Sequence, residues 1–416
     1  MRVALAQLNW PLDPGFADDR DELAVARALL ATPLRTDSRS GALRAGLCRS
    51  WKRSRTAREW RFQCAHARAI AAALRRGSRL AYGPNRWVFS QIRHISIRGE
   101  DTLVVGLRRP WLRFPYLLTV PAAAPRGIRG PFRVVSASPQ KIVARRPGLT
   151  LVFERLEAHA AASAFHHGRV DEAPVPLGDL RAARADPQLE HAVRVRRLLG
   201  VDLVGFRTDG GPLARRPELR RVYWTTADRF DYQALVPEFA APRAFSLIAS
   251  EAGSTHARAA AVRRAARRIG SLPSVHVPVA VPRGSPLVYG ADVVVAQWRE
   301  LGLGPTVDPT PAFERRLAEG RLGAWFERVV APYPESEALL AAAVRTDTKS
   351  PRRLLERALG LRNQTMLLAD ADAELENTAA IVPVAWVTDA RLVSPRLRGW
   401  YEDEVGAIDY TRIRTR

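Results

Sequence analysis

The stretch SVHVPVAVP (274–282), followed by PLVYGADVVVAQWRELGL (286–303), decides the fold class. The first segment is short, apolar and rich in valine, which reads as a strand. The second places Leu287, Ala291, Val294, Trp298 and Leu301 on one stripe, which reads as a helix. GPTVDPT (304–310), PAFERRLAEGRL (311–322) and AWFERVVA (324–331) then predict strand, helix and strand. Alternation of this kind builds an α/β lobe with a largely parallel sheet. The preceding HARAAAVRRAARRIG (256–270) reads as a basic helix closed by glycine, its alanines packed inward and its arginines solvated.

Toward the N-terminus, RVALAQL (2–8) predicts a strand and DELAVARALLAT (21–32) a helix with Leu23, Ala26, Leu29 and Leu30 on one face. The cluster Asp18, Asp19, Asp21 and Glu22 at its start is expected to stabilise the helix dipole. From residue 41 the elements shorten. EWRFQC (59–64), HISIR (94–98), TLVVGLR (102–108) and LLTV (117–120) read as strands, and residues 66–76 as an alanine-rich helix. GPFRVV (130–135), QKIVARR (140–146) and GLTLVFERL (148–156) follow as strands, and AHAAASAFHHG (158–168) as a helix ended by Gly168.

At 416 residues, with 47% apolar and 26% charged side chains, the chain is expected to form two or three lobes with separate cores. The formal charge is +23, and all but three of the 65 basic residues are arginine. These arginines run through the whole length without a basic stretch interleaved with aromatics. They predict a solvated surface that adheres weakly to anionic material, with no specific nucleic-acid recognition. No apolar run approaches the ~18 residues of a membrane span. The opening MRVALAQLNWPLDPG is too short and too soon broken by proline to be a signal peptide, so either the chain is cytoplasmic or an export signal precedes this sequence.

Two cysteines remain, Cys48 and Cys64. Each belongs to a strand-like segment, and KRSRTAR (52–58) between them reads as a turn, so a cross-strand disulfide and two separate buried thiols are both open. GxGxxG after a strand, the P-loop, HExxH and GxSxG are all missing, so no catalytic residue, metal or cofactor is expected. His166 and His167 are adjacent on a helix, an awkward geometry for one ion even with Asp171 and Glu172 nearby.

Taken in order, several segments resemble the family 5 extracellular solute-binding proteins, the receptors of oligopeptide, dipeptide and nickel ABC importers. RVALAQLNWPLDPG is similar to the family's opening strand and turn, and residues 31–51 to its "yegLv" segment. GPFRVV, SAFHHGRVDEAPVP (163–176), LRRVYWTTADRFDY (219–232), AIVPVAW (380–386) and GAIDYTRIR (406–414) match later family segments in the same order.

The resemblance implies a type II periplasmic-binding-protein architecture: two α/β lobes joined by hinge strands, plus a small inserted lobe. Lobe I is expected at 1–40, 125–205 and 383–416, the inserted lobe at 41–124 and lobe II at 206–382. DLVGFR (202–207) would be the outward hinge and the segment near Pro383 the return. The implied function is capture, without catalysis, of a peptide-like or other small solute for ABC permease subunits. The implied setting is a monomer outside the cytoplasm. Arg207, Tyr333 and Trp386 are the expected ligand contacts, with core packing the alternative for Trp386.

The sequence departs from peptide-binding relatives at VVAPYPES (329–336). Val329 stands where a tryptophan would be, Pro332 where an amine-pairing aspartate would be, and Tyr333 is kept. Glu327 and Glu335 are candidate replacements. The competing readings are a cytoplasmic ligand sensor or basic nucleic-acid-associated protein on the same fold, and an enzyme on a decayed receptor scaffold.

Overall fold

The computed structural model describes residues 1–15, 17, 20–80, 85–235, 243–244, 246–248, 275–344 and 349–415. Asp18, Asp19 and the basic segment 256–270 lie outside the described residues.

The strands in chain order are β1 (Arg2–Leu5), β2 (Leu34–Thr36), β3 (Leu43–Ala45), β4 (Cys48–Arg53), β5 (Glu59–Cys64), β6 (Ile92–Arg98) and β7 (Thr102–Leu107). They continue with β8 (Arg133–Ala137), β9 (Lys141–Arg146), β10 (Leu149–Arg155), β11 (Glu172–Pro174), β12 (Val193–Phe206) and β13 (Val277–Pro282). The last three to be named are β14 (Pro305–Thr310), β15 (Ala324–Val330) and β16 (Ile381–Val393). Ten of them form one sheet in the order β14-β13-β15-β12-β16-β11-β1-β10-β9-β8.

The alternation read at 274–331 produces the parallel trio β14, β13 and β15. Helix Leu287–Glu300 covers it, burying Leu287, Ala291, Val294 and Trp298 on the expected stripe. At the other side of the sheet β1 lies parallel to both β10 and β11. Helix Arg20–Leu29 packs there with Phe153 and Tyr410 in a second apolar cluster.

Two long antiparallel strands join these halves. The start of β12 pairs with the end of β16, from Val193 opposite Leu392 to Arg197 opposite Thr388. Its later half pairs with the start of β16, from Val201 opposite Trp386 to Gly205 opposite Ile381, and on its other edge with β15. A register shift between Arg197 and Val201 marks the place where the strand passes from one half to the other.

The order β4-β5-β7-β6 makes a separate four-stranded sheet. Cys48 faces Cys64 in its first hairpin, and the two are disulfide-bonded. This sheet does not carry the separate core expected of it. Trp60, Phe62, Leu103 and Val105 share one apolar cluster with Leu339, Leu340, Leu355 and Leu375 of the helices at 336–378. Four short strands and the helix Ala67–Gly77 enclose too little apolar area by themselves, so the helical layer completes the burial.

LLTV is a second correction, because residues 114–119 form a 3-10 helix. Pro115 has no N–H for a ladder and its fixed φ suits a helical start, while Phe114, Leu117 and Leu118 are buried without any strand partner. Among the described residues no helix is long and apolar enough to cross a membrane.

Candidate functional site

The passage of β12 between the two halves brings together three pieces of chain. Leu199 donates its backbone N–H to Glu404 O at 2.6 Å and accepts from Ala331 N at 2.8 Å. The β12 bulge is thus the floor of the seam, with the segment after β15 bonded to one edge of it and the C-terminal tail to the other. Gly200 permits this closeness, because a Cβ there would stand 2.9 Å from Val329 O. Across the seam, Pro334 Cγ lies 3.8 Å from where a Cβ on Gly41 would sit.

On one face of the floor, Trp386 is buried and the exposed Arg197 holds its guanidinium carbon 4.3 Å from the indole centroid. Partial burial lowers the Arg197 pKa, and no ion pair compensates that cation among the described residues. Thr388, opposite Arg197 in register, has a buried hydroxyl without a hydrogen-bond partner among the described residues.

The segment after β15 is aromatic and acidic. Tyr333 is fully buried and stacks on Tyr116, with ring centroids 6.0 Å apart. Glu335 pairs with Arg113 Nε at 2.8 Å. Burial raises its carboxyl above the usual range, an effect that Arg113 opposes. Glu337 is buried, accepts from the Trp111 indole at 2.7 Å, and is pushed by burial to about 7. On the tail side, Arg39 and Arg196 flank the Tyr401 ring at 5.9 and 5.1 Å.

Beside the seam lies a network of buried charge that fixes the frame. Arg20 bonds Glu172 at 2.9 Å, Glu402 at 3.1 Å and Asp389 at 3.3 Å. Arg391 bonds Asp21 at 2.5 Å and Asp389 at 3.2 Å. The Trp400 indole and the Tyr410 hydroxyl complete Glu172. Burial and then the adjacent Asp389 push Glu402 far above the carboxylate range. Burial would raise Asp389 as well, but Arg391 and Arg20 hold it low.

Asp21 and Glu22 do stand in the first turn of helix Arg20–Leu29, as the dipole reading expects, and the network gives Asp21 a further role. Its carboxylate accepts from Ala6 N at 2.7 Å and grips Arg391, because a buried acid is stabilised far more by a guanidinium than by a helix end. A second pair, Arg328 to Asp202 at 2.7 and 2.9 Å, sits farther along β12.

Of the expected ligand residues, Tyr333 and Trp386 belong to one apolar cluster. Arg207 lies just past the outer end of β12, with its N–H on Gly323 O and its guanidinium on Asp209 at 2.6 Å. Glu327 is buried and accepts from the Trp325 indole at 2.9 Å. His166 and His167 stack edge to face, and the latter meets Ser163 O at 2.7 Å. No group of three metal-ligating residues occurs among the described residues.

Arg197, Thr388, Tyr116 and Arg113 were not singled out in the sequence. Arg197 lies five residues before the expected hinge at Asp202 and Thr388 two after Trp386, so proximity to those two segments is the signal that the sequence offers for them.

No protein-family model matches the chain, and no curated protein matches it. Solved structures do. Haemophilus influenzae OppA bound to the peptide RPPGFSPFR matches with a TM-score of 0.82 and 15% identity, over 100% of this chain and 98% of that one. The murein tripeptide binding protein MppA of Escherichia coli matches with a TM-score of 0.83 and 16% identity over the same shares. The binding protein AgaA with agropinic acid, from A. tumefaciens R10, gives 0.82 and 16%, again over 100% and 98%. The chain thus shares the fold of these binding proteins along its full length.

Proposed function

We propose that this protein is the extracytoplasmic receptor of an ABC importer, a non-enzymatic monomer that captures a peptide-like or other small solute and presents it to permease subunits. The two halves of the large sheet act as lobes, with 1–40, 125–205 and 383–416 in lobe I and 206–382 in lobe II. Residues 41–124 form the inserted lobe. The lobes close on β12 and β16, and the solute stabilises the closed form by its greater affinity for it.

One observation carries the reading: at the crossing of those strands an uncompensated arginine lies over a buried indole beside an unsatisfied hydroxyl. Arg197, Trp386 and Thr388 suit a solute with a carboxylate or similar anionic end against an apolar body. Tyr333 is buried after β15 and stacks on Tyr116. A cationic amine finds no ready partner there, because Pro332 offers no charge and Glu335 is already taken by Arg113. The disulfide agrees with a site outside the reducing cytosol.

Thermal unfolding against dipeptides, oligopeptides and small dicarboxylic acids tests this. A true solute at 100-fold above its Kd stabilises by ~2.7 kcal/mol. The shift should vanish in R197E and W386A while the solute-free R197E keeps the parental Tm. A panel without any selective shift, or a shift that survives in both variants, overturns the proposal.

A further inference from the structure

The small sheet ends in a concentration of positive charge that the solute seam does not use. The hairpin of β4 and β5 is closed at one end by Cys48–Cys64 and turns at the other through Ser54–Arg58. Lys52, Arg53, Arg55 and Arg58 crowd that turn, and all four are exposed. Register brings β6 and β7 to the same end. Ile92 stands opposite Leu107, whose N–H reaches Arg58 O, so the exposed Arg93 and Arg108 join the group.

Among the described residues none of these six cations forms an ion pair. The one acid within the hairpin, Glu59, is occupied by Arg61 at 2.9 Å. Six like charges at one end of a stiff sheet repel one another and weaken the fold unless a counter-surface meets them. The inner face cannot supply it, since Trp60 and Phe62 are buried in the core.

We infer that this tip is a docking surface for an anionic phospholipid bilayer. The counter-surface must be extended and negative, because the cations are spread over β4, its turn, β6 and the residue after β7 and not gathered around a pocket. The disulfide places the protein in an oxidising compartment, where the extended anionic surface on hand is a membrane and not nucleic acid. Each arginine near such a surface adds to the attraction, which fades within a Debye length. The tip also lies on elements distinct from β12 and β16, so lipid contact leaves the seam open to solute.

The test is co-sedimentation of the intact protein with phosphatidylglycerol-containing vesicles, and with pure phosphatidylcholine vesicles, at ~0.1 M salt. Binding should require phosphatidylglycerol. It should fall by at least about tenfold in R53E/R55E/R58E, and again in the independent R93E/R108E. The variant R133E/R145E/R155E, which changes the charge equally at exposed positions of the large sheet, should stay within about twofold of the parent. Equal loss in that variant would mean that bulk charge alone drives binding, and the tip assignment fails. Binding to duplex DNA without binding to anionic vesicles also overturns it. None of these readouts involves solute capture, so failure here leaves the receptor proposal standing.

Discussion

The Trp111 indole donates to Glu337 Oε1 at 2.7 Å, joining two fully buried residues that lie 226 positions apart. This bond ties the exit of the small sheet to the first turn of the helix behind Tyr333. Its acceptor is a carboxyl that burial has raised to about 7.

That shift sets a pH dependence. Between the unfolded value near 4.5 and about 7, the native state keeps a proton that the unfolded chain has lost. Stability from this group is therefore complete below about 4.5 and declines as pH rises to about 7, by on the order of 2 to 3 kcal/mol. E337Q keeps an acceptor and removes the ionisation. Urea unfolding at several pH values should show the variant gaining on the parent as pH rises from 5 to 8. A constant difference across that range would contradict the buried carboxyl's role.

The charge network predicts two unequal losses. In R391M, Asp21 and Asp389 lose a buried partner, and breaking such a pair typically costs about 3 to 5 kcal/mol. E402Q replaces an acid whose carboxyl burial and Asp389 push far above the usual range, so it should cost less than about 1 kcal/mol. Denaturation of the two variants side by side measures the ratio. Equal losses would mean that Glu402 is ionised in the folded protein.

The disulfide closes a separation of 16 residues, which corresponds to about 3 kcal/mol of restricted unfolded chain. Because the small sheet has no core of its own, that loss should pass to the helices at 336–378. Unfolding with and without reductant should therefore show one transition moved downward. A new early transition confined to the small sheet would show that it folds independently.

Much of the frame was legible because its signals are local. The strand and helix alternation after 274 and the hairpin between the cysteines need only periodicity and turn chemistry. The front half of β12 was not legible. VRVRRLLG mixes arginine with apolar residues, and its first five residues gain their identity as a strand from residues 388–392, nearly two hundred positions away. The buried charges were hidden for the same reason. Arg20, Glu172 and Arg391 look like surface residues until tertiary contact supplies their partners. Trp386 was recognisable as a candidate contact, yet the arginine above it comes from another strand. LLTV shows the converse, since an apolar, β-branched tail was outweighed by one proline upstream.

Gly205 provides the last prediction, on the strand that joins the two halves. It faces Trp325 in register, and a Cβ added there would stand 2.1 Å from the indole ring. Trp325 is fully buried and its N–H is held by Glu327 at 2.9 Å, so the ring has little room to yield. G205A should therefore destabilise by about 1 to 3 kcal/mol through overpacking. W325L alone also destabilises, because it opens a cavity. If the clash is the cause, the two losses will not add: alanine at 205 should be nearly neutral once the indole is gone, a coupling of about 1 kcal/mol or more. A double-mutant cycle by urea unfolding measures that coupling. Additive losses would show that alanine acts on the β12 backbone and not on the ring across from it.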